Sequence, residues 1–87
     1  MSTPEQQATE AFSREKEEYA QAQAMALEII GIREPVRFGE VVQELGNQGL
    51  NDHIALHATA GLIRHGVEES SLGMLSLTEL GRERAAA

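Results

Sequence analysis

The residues best equipped for chemistry in this chain are two histidines, His53 and His57, and a handful of arginines. Side chains four apart on a helix share a face, so two imidazoles at that spacing can reach one cation. Asp52 precedes the pair and His65 lies two turns beyond it. A structural zinc site takes four ligands, so no metal is expected, and His53 with His57 is the sole candidate pair. There is no Cys, hence no disulfide framework and no thiolate ligand. Gly46-Asn47-Gln48-Gly49 lacks the Lys and Ser/Thr of a phosphate-binding loop and reads as a turn. No Ser/His/acid set has a defined geometry, and the Glu residues carry no pattern that picks out an acid–base pair. Neither enzymatic activity nor a cofactor is expected.

Charge narrows the partners. The chain of 87 residues has a net charge of −7. Residues 1–30 carry six Glu against two basic residues, and residues 31–87 carry eight acids against five Arg. A nucleic-acid binder presents a positive face that releases counterions, and here a few Arg residues would have to build it. No apolar run approaches the ~20 residues of a membrane span. The polar stretch Ser2 to Glu10 is no signal peptide. A soluble, cytoplasmic protein is expected, with one small core that is aliphatic and Ala-rich, since only Phe12, Tyr19 and Phe38 are aromatic.

The elements that must position these residues are organised around Leu75-Ser76-Leu77-Thr78-Glu79-Leu80-Gly81-Arg82-Glu83. Leu75 and Leu77 alternate with Ser76 as in a strand with one buried face. Thr78 is placed to cap a helix, and Leu80 is expected to point back at the core. Upstream, Ser2 to Ile30 predicts one long helix of roughly 40 Å at 1.5 Å per residue. Thr3 is its N-cap, Pro4 its first residue and Gly31 its stop. Tyr19, Ala22, Met25, Ala26, Ile29 and Ile30 form its apolar stripe.

Val36 predicts a strand stub after Pro35. Gly39 to Leu45 predicts a second helix, buried through Val41, Val42 and Leu45, with Leu50 plugging the core after the turn. Asn51 or Asp52 caps a third helix to about His65, with Ile54, Ala58 and Leu62 in one row. Gly61 marks a close backbone approach, and Gly66 stops the helix. Val67 to Glu69 and Met74 to Leu77 predict a hairpin around Ser70-Ser71-Leu72-Gly73, followed by a last helix from Thr78 to about Ala85.

From Pro35-Val36-Arg37-Phe38-Gly39-Glu40-Val41, through Leu62-Ile63-Arg64-His65-Gly66-Val67, to the Leu-Thr-x-x-Gly ending at Leu77-Thr78-Glu79-Leu80-Gly81, residues 25–85 resemble the winged helix-turn-helix of MarR-like and PadR-like bacterial transcription regulators. The resemblance implies a mainly α fold with a small β-hairpin. A long N-terminal helix at residues 1–30 adjoins a winged-helix domain at residues 31–87, the whole forming a single domain. It also implies a DNA-binding transcription regulator: Asn51, His53, His57 and Thr59 facing base edges, and Arg37 and Arg64 on phosphates. It implies a homodimer through the N-terminal helix, for which Phe12 and Tyr19, seven residues apart, supply one face. The alternative is an acidic winged-helix adaptor that binds a basic protein partner and no DNA. Glu68 and Glu69 in the wing favour it, since regulators of this kind often carry basic residues there.

Overall fold

The computed structural model describes residues 4–86, with side chains from Lys16 onward. Four helices and a three-stranded antiparallel sheet follow the order α1 (Pro4–Arg33), β1 (Val36–Arg37), α2 (Phe38–Asn47), α3 (Asp52–Leu62), β2 (Val67–Glu69), β3 (Met74–Leu77), α4 (Glu79–Ala86). The expected Thr3 cap and the Phe12 side chain lie outside the described residues. Among the described residues no helix is long and apolar enough to cross a membrane.

Helix α1 is the spine. Its 30 residues span about 45 Å at 1.5 Å per residue, most of the longest dimension of 50 Å. Ala22, Ala26, Ile29 and Ile30 are buried and Met25 packs against them, as the 3–4 spacing requires, whereas Tyr19 of the expected stripe is exposed and Leu27, outside it, is buried. Gly31 does not stop this helix, which runs on to Arg33. Gly31 instead lets β3 come close: a Cβ there would stand 3.1 Å from Leu77 Cδ1. The stop is Glu34-Pro35, because proline lacks an N–H and drives the residue before it out of the helical region.

The stub at Val36 is a full sheet member. Val36 pairs with Leu75 and Arg37 with Met74, while β2 pairs on the other side of β3 through Val67–Leu77, Glu68–Ser76 and Glu69–Leu75. The strand order is therefore β1-β3-β2. Leu75 and Leu77 face inward and are buried, as their alternation with Ser76 demands. The β2–β3 turn closes with Ser70 N–H donating to the Met74 carbonyl (2.8 Å) and Gly73 N–H to the Ser70 carbonyl (2.9 Å).

Helices α2 and α3 bury Val41, Leu45, Ala55, Ala58 and Leu62, with Leu50 half-buried between them as expected. Helix α3 ends at Leu62, earlier than the His65 predicted. Ile63 turns extended, Arg64 takes a φ of 82°, and its N–H donates to the Val67 carbonyl (3.0 Å), so the chain is already bending into β2.

The β3–α4 junction is capped as the sequence predicts: Gly81 N–H donates to Thr78 Oγ1 at 3.2 Å. The expectation for Leu80 is corrected, since it is half exposed. The residue of α4 that meets the body is Gly81, and a Cβ on it would fall 1.8 Å from the Gly66 carbonyl oxygen. That contact turns α4 so that Leu80, about 100° further round the helix, lies toward solvent.

Candidate functional site

Helix α3 has two faces made by the same spacing. Ala55, Ala58, Thr59 and Leu62 form the buried one. His53, Leu56, His57 and Ala60 form the exposed one. The outward-facing assignment of Thr59 is corrected on this basis. Thr59 is fully buried, and its hydroxyl donates to the Ala55 carbonyl at 2.8 Å, which satisfies it without a partner. Its place in the 55/58/59/62 stripe was the available signal.

Asn51 fixes the start of α3. Its Oδ1 accepts from His53 N–H at 2.8 Å, so the side chain is occupied as a cap. His53 and His57 are exposed one turn apart, and their rings pack edge to face with centroids 4.3 Å apart. Both line a hollow shared with Tyr19, Asn51 and Ile54. Tyr19 brings α1 to this place. Its phenol lies over Gly61, where a Cβ would stand 2.2 Å from the oxygen, and Gln23 Nε2 donates to that oxygen at 3.1 Å and to the Ala58 carbonyl at 3.3 Å. The close approach expected at Gly61 is thus made by a side chain rather than by backbone.

Five arginines follow residue 30, and three of them are engaged. Arg33 lies 3.8 Å from a Glu44 carboxylate oxygen. Arg82 pairs with Glu34. Arg84 donates to the His65 carbonyl. Glu34 is held twice, because its other oxygen accepts from Leu77 N–H at 3.0 Å. That backbone bond first, and the Arg82 bond second, hold the Glu34 carboxyl below its ordinary range. Arg37 and Arg64 are exposed, at β1 and at the end of α3, with no ion pair among the described residues.

No family model, no curated protein and no solved structure matches this chain. The reading of the face therefore rests on its own chemistry. Among the described residues no group of three His, Cys, Asp or Glu side chains converges as a metal cluster would. Beyond α3 the hairpin carries exposed Glu68 and Glu69 and ends in Leu72, which is 85% exposed. Leu56 on α3 is 44% exposed. Neither leucine carries a local signal of exposure: Leu72 reads as a turn position, and Leu56 differs from the buried Leu62 only by its place on the other face of α3.

Proposed function

We propose that the chain is a winged-helix adaptor that docks a basic protein surface through the outer face of α3 and the β2–β3 hairpin. The winged-helix reading is supported by the element order and by the β1-β3-β2 sheet, with α2 and α3 as the helix-turn-helix and the hairpin as the wing. The observation that carries the docking reading is the makeup of the exposed surface. Leu56 and Leu72 are exposed on α3 and the hairpin, as Ile32 and Leu80 are elsewhere, and only the first two share their elements with exposed acids, Asp52, Glu68 and Glu69, and with no arginine. Apolar anchors within a charged rim are the anatomy of a protein interface. Acidic residues steer a basic partner and repel phosphate.

DNA binding is the second reading. It is favoured by the helix-turn-helix arrangement and by Arg37 and Arg64, exposed and without an ion pair among the described residues. These would hold phosphates while His53, His57 and the remaining amide of the cap residue Asn51 approach base edges. Pairing of two copies through α1 belongs to both readings, but Tyr19, expected on the contact face, packs over Gly61 of its own chain.

Fluorescence anisotropy with mixed duplex DNA separates them. No binding is expected even at roughly 20–50 mM salt, where counterion release is most favourable. Binding that weakens steeply with salt would transfer the face to DNA. Photo-crosslinking from position 72 should capture a basic protein with the wild-type chain and lose it with Glu68→Lys/Glu69→Lys. Light scattering at high micromolar concentration should give a dimer, and a monomer would remove the pairing role of α1.

A further inference from the structure

We infer that His53 and His57 form a binding site for a divalent transition-metal ion of the nickel, copper and zinc class. The inference does not depend on what the face docks, because the site lies within one helix of one chain. The ring centroids are 4.3 Å apart and both imidazoles line one hollow. Imidazole nitrogen binds these metals at about 2.0–2.1 Å, so the two donor atoms must come within about 3 Å of each other. Neighbouring rings on an exposed helical turn reach that separation when one of them swings out of the edge-to-face pose, a rotamer change open to exposed side chains.

The backbone beneath the pair is fixed. Asn51 caps the helix at one end, and Ala55, Ala58, Thr59 and Leu62 are buried behind it. The two Cα positions are therefore set before any ion arrives, and only side-chain freedom is lost on binding.

The donor set selects the ion. Two nitrogens with, among the described residues, no converging carboxylate suit copper, nickel and zinc, while calcium and magnesium require oxygen ligands. Two protein donors leave coordination positions open to water or to a donor atom of a docked partner. An ion held here would also bring positive charge to a surface that carries Asp52, Glu68 and Glu69.

Tyr19 supplies the readout. It lines the same hollow and is the one tyrosine of a chain with no tryptophan, so all intrinsic emission of this kind comes from beside the site. Titration of the full chain with Ni2+ or Cu2+ should quench that emission saturably at one ion per chain. Calorimetry with Zn2+ should return the same stoichiometry. His53→Gln or His57→Gln should each weaken the titration by at least about tenfold, since even outer-shell partners of metal ligands are worth that much. His65→Gln, in the exposed turn after α3, should leave it unchanged, and Mg2+ should not quench. All three substitutions replace exposed side chains, so the fold is retained. Absence of saturable quenching, or a His65→Gln effect as large as that of the other two, would overturn the site.

Discussion

Two regions of this molecule are built by opposite rules. Around the β3–α4 junction the fit is set by what is missing. Gly31 admits Leu77, Gly81 sits on Gly66, and Glu34 bridges from the α1–β1 connector to Leu77 and Arg82. Along the outer face of α3 and the hairpin, the side chains are long, exposed and free of such constraint: His53, Leu56, His57, Glu68, Glu69 and Leu72. The contrast teaches that the fold is secured away from the surface proposed for function. That surface can change its residues without loosening the core.

The sharpest way to break the contrast is Gly81→Ala. The added methyl would lie 1.8 Å from a backbone oxygen that has no rotamer to escape into. Helix α4 must move off Gly66, at a cost of about 3 kcal/mol, despite the ~1 kcal/mol that alanine's helix propensity returns. Urea unfolding should show the loss, and a change below 1 kcal/mol would mean that the junction has slack.

A smaller effect is expected at Glu34. Its carboxyl is held below the ordinary value, first by the Leu77 N–H and then by Arg82. The stability this brings is present above the ordinary carboxylate value, about pH 4. It is lost as pH falls through the lowered folded value. Glu34→Gln should lower the unfolding midpoint at pH 7, and the gap from the wild-type chain should close toward pH 3. Parallel curves across that range would show that the charge of Glu34 contributes nothing.

The smallest effect on stability belongs to the docking face. Leu56→Ser with Leu72→Ser should leave the urea midpoint within about 0.5 kcal/mol of wild type while abolishing capture of the partner. A large loss of stability would place those leucines in the core-supporting class and undo the comparison.

What the sequence disclosed follows the same division. Local chemistry was readable: the Thr78 cap, the alternation of Leu75 and Leu77, the hairpin around Ser70 to Gly73, and the buried stripe of α1 all stand where spacing places them. Close approaches between distant segments were not. Gly31 looks like a helix stop, and Leu80 looks like the inward residue, because nothing local says that Leu77 or Gly66 presses against the next turn. Thr59 reads as an outward residue by its polarity, but its position in the stripe outranks its hydroxyl. The pairing of Arg82 and Arg84 depends on residues 48 and 19 positions away, so no count of arginines could show how few remain exposed and unpaired.

The contact between Gly66 and Gly81 has a mechanical consequence. Gly66 precedes the hairpin directly, and its carbonyl also accepts from Thr78 N–H at 3.0 Å, just beyond the hairpin's end. The two roots of the hairpin are thus bolted to one another and to α4, which packs on α1. Both ends of the hairpin therefore share one anchorage, so a substitution that parts Gly66 from Gly81 should disturb the hairpin and α4 together.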